Sequence, residues 1–450
     1  MHTIHSAEEW LRPACIFMPD TSEAMGHAVK ELSKQNVPFA VRGGGWMPVP
    51  GAANINSSGV LLSTQNLTGL ELSDNGTSVS VASGHDWSDV YEYLSPHGLT
   101  AVGSRIGVVG VPGFLLGGGM SFLSNEHGWG SANVIGYKVV LACGSVVYVT
   151  ATNDYSDLFW ALRGGGNSFA IVTRFDLKTV EAAEVAVGSV GYGAGQRDSF
   201  IKNLFDFSQN GVLDQRAFVL PTISFVPAAS SNITYSAKLF YNGANDTTPG
   251  SLADFLPPKA TSQISSTFSI RTMANWTAES DEGFDRVHGQ NFRFHGFTIL
   301  ANLDAMYEAH DTFFNYAKEH GTGITGFIAT LAMNPIAKSF LVNNRGEDPA
   351  GDPMGVNADA GPYFMCEQTF SWSFKNETEL MTKLIAGVNS ELDVKLAGVL
   401  WPFVPLNNAG DTQDVFSGYD STNVERLNRI NKKYDPHGTY TRLMIGGFKL

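Results

Sequence analysis

Residues 102–122 read VGSRIGVVGVPGFLLGGGMSF, with glycines at 103, 107, 110 and 113 ahead of a triplet at 117–119. Two further triplets, 43–45 and 164–166, flank this stretch. Glycine reaches positive φ and lets backbone approach a ligand with no Cβ in the way. Successive backbone N–H groups at such turns form concavities suited to an anion such as a pyrophosphate. One triplet alone is explained by a turn. Several, each closing an expected strand or helix, favour a large extended cofactor.

Other glycine and catalytic signatures fail on spacing. No G-x-G-x-x-G joins an N-terminal strand to a helix, and no G-x-x-x-x-G-K-[S/T] phosphate loop or H-E-x-x-H helix occurs. A G-x-S-x-G nucleophile elbow is also missing. The eleven histidines form no pair at metal-ligand spacing, so no metal site is expected.

The 450 residues suggest two or three domains, and the net charge is −14. That balance opposes binding to nucleic acid or to anionic lipid. No apolar run reaches the roughly 18 residues of a membrane helix. The opening MHTIHSAEEWLRPACIF has neither the charged nor the apolar region of a signal peptide. Three cysteines (Cys15, Cys143, Cys366) are too few for a disulfide framework. Seven Asn-x-Ser/Thr sequons, at Asn56, Asn66, Asn75, Asn232, Asn245, Asn275 and Asn376, lean toward the secretory pathway if an upstream signal has been removed, and the compartment is otherwise cytoplasmic.

Periodicity predicts alternating helices and strands up to about residue 180. Helices are expected over 21–35, with Asp20 as cap, from 86 to the stop at Gly98, and over 157–162. Strands are expected over 37–41, 78–82 and 170–175, and a hairpin turns at Cys143-Gly144. From Val185 to Val404, long β-prone stretches (217–226, 234–241, 364–374) alternate with helices over 198–208, 302–319 and 378–392. Residues 343–362, rich in Gly, Asp and Pro, form a loop expected to overhang a site. A last helix spans 422–433.

Five blocks carry a family resemblance: PFAVRGGGWMPVPGAANI (38–55), residues 102–122, GWGSANVIGYKVVLACG (128–144), DLFWALRGGGNSFAIVTRF (157–175) and KKYDPHGTYTRLMIGGFKL (432–450). Together they resemble the FAD-linked oxidases of the vanillyl-alcohol oxidase type, in the berberine-bridge-enzyme-like branch common in fungi. The resemblance implies an α+β, two-domain flavin-oxidase fold. A PCMH-type FAD-binding domain (1–180) is completed by the C-terminal segment (405–450). The substrate domain between them (181–404) is expected to be an antiparallel sheet backed by helices.

For the cofactor, the resemblance implies that Arg42, Gly43, Gly44, Gly45, Trp46 and Met47 line FAD. Gly103, Ser104, Gly107, Gly110 and Gly113 would wrap it, with Gly118 and Gly119 nearby. Asn133 and Val134 would lie toward the adenine, Ile171 and Val172 against the cofactor, and Asn408 and Tyr419 where the C-terminal segment closes. Catalytic candidates are Glu367, on an expected strand, and the phenols Tyr419 and Tyr363. His127 is a further candidate between two matched blocks.

The sequence departs from the family where the flavin is attached. The position that usually holds the linking histidine is Trp46, and no cysteine occurs in the 103–110 stretch. A non-covalent FAD is therefore expected. Trp46 has two readings: a core aromatic filling the histidine's space, or a ring that intrudes on the flavin site. The function implied is an FAD-dependent oxidoreductase that oxidises, desaturates or cyclises a small apolar metabolite, with O₂ as electron acceptor. The alternatives are a non-redox cyclase on the same fold and a small-molecule-binding protein without chemistry.

Overall fold

The computed structural model describes residues 6–210, 214–243, 249–285, 289–344 and 351–450. Among them three sheets form. A small parallel sheet, in the order β1-β3-β2, contains β1 (Cys15–Phe17), β2 (Phe39–Arg42) and β3 (Val60–Ser63). The second sheet contains β4 (Leu70–Leu72), β5 (Ser78–Ala82), β6 (Leu99–Ala101), β7 (Val134–Val140), β8 (Val146–Val149) and β9 (Ile171–Glu181). Its order is β4-β5-β9-β7-β8, with β6 also on β9. Helices α1 (Ser22–Lys34), α2 (Trp87–Leu94), α3 (Val111–Leu116), α4 (Ser124–His127) and α5 (Ser156–Leu162) accompany these sheets.

Local chemistry sets several of these boundaries. Thr21, not the expected Asp20, caps α1, its hydroxyl accepting the Ala24 N–H at 3.1 Å. Asp86 and Asp89 form a reciprocal capping box at α2, and the chain leaves the short helical turn that follows through Gly98 at φ 69°. Strand β7 begins at Val134, nine residues ahead of the expected hairpin turn at Cys143. The exposed position near its start is the apolar Ile135, between buried Val134 and Gly136, so no polar alternation marks that start.

The third sheet holds β10 (Val185–Tyr192), β11 (Ala217–Phe225), β12 (Ile233–Tyr241), β13 (Gln263–Ser266), β14 (Ser269–Arg271), β15 (Asn291–Leu300), β16 (Ile328–Ile336), β17 (Tyr363–Trp372) and β18 (Leu400–Trp401). It runs β13-β10-β12-β11-β16-β17-β15-β18, all pairs antiparallel, with β14 also on β10. Helices α6 (Arg197–Asn210), α7 (Met273–Asp285), α8 (Leu303–Gly321), α9 (Lys338–Asn343) and α10 (Thr378–Lys395) belong to this part. Side chains alternate faces along each strand. Val219, Leu239, Leu331, Cys366 and Phe370 pack with Phe313 of α8 and Leu384 of α10 in one core. Their neighbours Leu220, Lys238, Ala332, Glu367 and Thr369 face the other way, onto a cavity. A one-residue register slip would exchange the two sets.

After α11 (Ser421–Tyr434) the chain returns to the first sheet. Asp435 accepts the N–H groups of Thr439 and Tyr440 at 2.6 and 2.7 Å. The Tyr440 hydroxyl donates to Val140 O at 2.8 Å, and Met444 bridges to Phe39. Tyr440, Leu443 and Met444 share a core with Met25, Val29 and Phe39. The loop expected to overhang the site does not do so in its described part. Residues 345–350 lie outside the described residues, and Met354 packs behind the glycine run against Gly118 and Gly164, away from the cavity lining.

Among the described residues no helix is long and apolar enough to cross a membrane. Six sequon asparagines are exposed, and Asn245 lies outside the described residues.

Candidate active site

A cavity of about 500 Å³ lies between two unlike walls, within the roughly 300–1,000 Å³ usual for small-molecule sites. The first wall is mainly backbone and small or apolar side chains: Gly43 to Met47 after β2, Ser104, Gly110 and Gly113 before and within α3, and Ile171 and Val172 of β9. The loops after β2 and before α3 cross with their backbones in contact. A Cβ on Gly44 would stand 2.6 Å from Gly110 Cα, and one on Gly110 would stand 2.4 Å from Gly44 N. Only glycine fits at either position. The N–H groups of Gly43, Gly44 and Gly45 donate to no backbone carbonyl among the described residues. They form a donor-rich turn at the cavity surface. The C-terminal segment adds Asn408, Met444 and Phe448.

The second wall is the inward face of the third sheet, with Leu220 and Thr222 (β11), Lys238 (β12), Phe292 and Phe294 (β15), Thr330 and Ala332 (β16), and Glu367 and Thr369 (β17). Antiparallel register sets Glu367 opposite Ala332 and Thr369 opposite Thr330. One Glu367 oxygen accepts the Asn408 side-chain N–H, and the other accepts the Thr369 hydroxyl at 3.3 Å. Burial raises the Glu367 pKa, against the opposing pull of the Arg105 charge and these hydrogen bonds. Arg105 reaches in from the glycine stretch and donates to Asn334 Oδ1 at 2.8 Å. Burial lowers its pKa to about 10, so it stays charged near neutrality.

The other expected site residues lie off this surface. Arg42 is buried at the end of β2, where its carbonyl accepts the Thr64 N–H at 2.9 Å. Gly103 packs on Trp87, where a Cβ would meet the indole at 2.0 Å. The Gly107 N–H donates to Asp281 of α7 at 2.9 Å. Gly118 and Gly119 turn the chain at φ 96° and 78° behind the wall. Asn133 donates to the carbonyls of His127 and Trp129, both at 3.0 Å, and Val134 is core. His127 itself does not line the cavity.

Tyr419 and Tyr363 also stand away from the cavity. The Tyr419 hydroxyl donates to Gly164 O at 2.8 Å and that of Tyr363 to Asn357 O at 2.6 Å. Burial raises both pKa values, Tyr363 to about 12. Each phenol is thus a buried donor with its partner already in place.

Sequence reading missed Arg105 and Lys238 as cavity residues. Arg105 sits inside a quoted motif, and its charge among glycines was the available signal. Lys238 follows Ala237 in a strand whose register is visible only in three dimensions.

A model of the FAD binding domain matches residues 13–150. FAD-dependent monooxygenase prx3 of Penicillium roqueforti is 33% identical over 459 residues, covering 97% of this chain and 86% of that protein. The chain belongs to the family of FAD-dependent oxidoreductases that includes this fungal relative. Solved structures agree on the two-domain flavin-oxidase fold. The 6-hydroxy-D-nicotine oxidase of Arthrobacter nicotinovorans superposes with a TM-score of 0.78 at 19% identity, covering 98% of this chain and 93% of that one. The Physcomitrella patens BBE-like 1 protein gives 0.76 at 18% identity, covering 99% and 94%.

FAD is the cofactor of this family, and the residues present fit it. The glycine wall supplies unpaired N–H donors for phosphate oxygens, and the apolar surface of Ile171, Val172 and Met444 suits a flat ring. Among the described residues neither histidine nor cysteine lines this oxidoreductase's cavity, and Trp46 does. Cys15 and Cys143 are exposed, and Cys366 points into the core on the far side of the sheet.

Proposed function

We propose that the protein binds FAD without a covalent link and oxidises, desaturates or oxidatively cyclises a small, largely apolar organic molecule of specialised metabolism, with O₂ as final electron acceptor. Gly43 to Met47, Ser104, Gly110, Gly113, Ile171 and Val172 would hold the cofactor, and Asn408 would close on it. The observation that carries the reading is Glu367, the one carboxylate among the described residues lining the cavity. FAD supplies a two-electron acceptor, which no side chain here can provide.

The chain's own residues do the rest. Glu367 removes a substrate proton, and its raised pKa makes it a stronger base than an exposed glutamate. Asn408 and Thr369 hold its two oxygens in orientation. Leu220, Phe292 and Phe294 exclude water and favour an apolar substrate. The absence of histidine and cysteine from the described lining supports a flavin held by packing and backbone donors.

The test is an absorbance spectrum before and after acid precipitation. A flavin band near ~450 nm that moves wholly into the supernatant is expected. Colour left in the pellet overturns the non-covalent clause, and a protein that takes up no FAD overturns the whole reading. With substrate in hand, H₂O₂ release matching O₂ uptake marks an oxidase. Incorporation of ¹⁸O from O₂ would instead mark the monooxygenation named in the Penicillium relative.

Trp46 on the cavity wall favours one second reading, in which the cavity closes a ring by holding its substrate in a reactive conformer, without redox change. Product formed anaerobically, with the flavin spectrum unchanged, would establish it.

A further inference from the structure

Among the described residues three titratable side chains line the cavity: Arg105, Lys238 and Glu367. The chain carries a net charge of −14, yet this cavity holds two basic groups against one acid. Lys238 is the group the proposed chemistry leaves unused. It projects from the middle of β12, paired in register with Leu220 of β11 and Ser189 of β10, neither of which is charged. Among the described residues no carboxylate or hydrogen-bond acceptor pairs with its ammonium. Arg105 is likewise only partly satisfied, by Asn334 Oδ1 at 2.8 Å and Met120 Sδ at 3.5 Å.

Both cations are half-buried on the cavity wall, where an anionic ligand group would gain charge-assisted hydrogen bonds away from bulk water. The cofactor's phosphates have their own donors in the glycine wall, whereas Lys238 stands on the sheet wall beside Leu220 and Thr222. We infer that the substrate carries an acidic oxygen function, a carboxylate or an acidic enol or phenol, which docks on Lys238 and Arg105 with the reacting carbon toward Glu367. The inference rests on the function proposed above and narrows its substrate to an apolar molecule with one anionic oxygen group. Proton transfer to Glu367 is unchanged, and docking itself makes and breaks no covalent bond.

Burial, then the Arg105 charge, lowers the Lys238 pKa to about 8. The docking charge is therefore present at pH 7 and lost as pH rises past that value. Arg105 and Glu367 are the other charged groups facing it in the cavity.

The experiment uses FAD-loaded protein and calorimetric titration with benzoate, benzamide, 4-nitrophenol and 4-nitroanisole, with flavin content read on each sample. Benzoate or 4-nitrophenolate should bind about tenfold to a hundredfold more tightly than its neutral counterpart at pH 7. That preference should fall between pH 7 and pH 9. Whichever anion shows the larger preference identifies the carboxylate or the enol-type source. Lys238→Met should cut the preference about tenfold while keeping the flavin, the remainder resting on Arg105, and Lys238→Arg should retain it. Equal binding of anion and neutral probe, or a preference undiminished in Lys238→Met, overturns the inference while the flavin reading stands. Loss of flavin in Lys238→Met also overturns it, by assigning Lys238 to the cofactor. Wild-type protein that cannot be loaded with FAD fails at an earlier step, and that failure belongs to the parent reading.

Discussion

The two walls of the cavity are built on opposite principles. The glycine wall comes from segments rich in glycine and works through backbone: crossed loops, unpaired N–H groups and the absence of Cβ atoms. The sheet wall takes alternate side chains from five strands spread over residues 217–372. It works through single functional groups, with Glu367 and Lys238 set among apolar neighbours. A backbone site tolerates almost no change of residue type and binds one thing. A side-chain site can change its chemistry through one atom and leave the sheet intact.

That contrast predicts a double dissociation. Glu367→Gln replaces one oxygen with nitrogen on the sheet wall. It should cut kcat by about 10²–10⁴-fold while flavin content and melting temperature hold. Steady-state rates on flavin-quantified protein check this, and an unchanged kcat would remove Glu367 from the chemistry. Gly44→Val acts on the other wall, where its Cβ would stand 2.6 Å from Gly110. FAD binding should weaken about tenfold to a hundredfold, with turnover per bound flavin far less changed. Flavin release by ultrafiltration measures it. Tight flavin in Gly44→Val would show that the crossing is not part of the cofactor site.

The same contrast explains what was legible in the sequence. Glycine triplets and the 103–113 run are contiguous and tied to backbone geometry, so the cofactor side could be read from motifs. Even there, Gly103, Gly107, Gly118 and Gly119 lie off the cavity lining against other parts of the chain, because a motif records where glycine is needed and not which neighbour needs it. The sheet wall left less trace. Strands β15 and β16 escaped periodicity because both their faces are covered: Phe292 and Phe294 line the cavity while Phe297 and Ile299 pack outward. Glu367 was visible as a lone acid in an apolar strand, but its pairing with Asn408, 41 residues on, depends on the C-terminal return. Tyr419, carried over from the resemblance, and Tyr363, chosen as a phenol, donate to Gly164 O and Asn357 O, partners that only the folded chain brings to them.

A smaller effect sharpens the sheet side. The Asn408 N–H stabilises the ionised form of Glu367, so Asn408→Ala should raise the Glu367 pKa further. The active base is the carboxylate, so the acid limb of kcat against pH should move up by about one unit, with little change at the plateau. A stationary limb would mean that another group sets it.

The smallest expected effect on turnover concerns the strap that joins the walls. The Ala7 N–H donates to Gln290 O at 2.8 Å just ahead of β15, and Glu8 pairs with Arg293 of β15 at 3.0 Å. Glu9 accepts the Gly51 N–H at 3.1 Å in the stretch after Trp46, while its other oxygen is buried without a partner among the described residues. Burial raises the Glu9 pKa from 4.5 to about 8. Between those values the folded protein holds a proton that the unfolded chain has released. Stability therefore falls as pH rises through the window, by at most about 5 kcal/mol. Glu9→Gln keeps an oxygen for Gly51 and carries no charge, so it should match wild type in melting temperature near pH 5 and exceed it near pH 8. Equal melting curves at pH 8 would mean that water reaches Glu9 and that the strap does not seal the edge where the two walls meet.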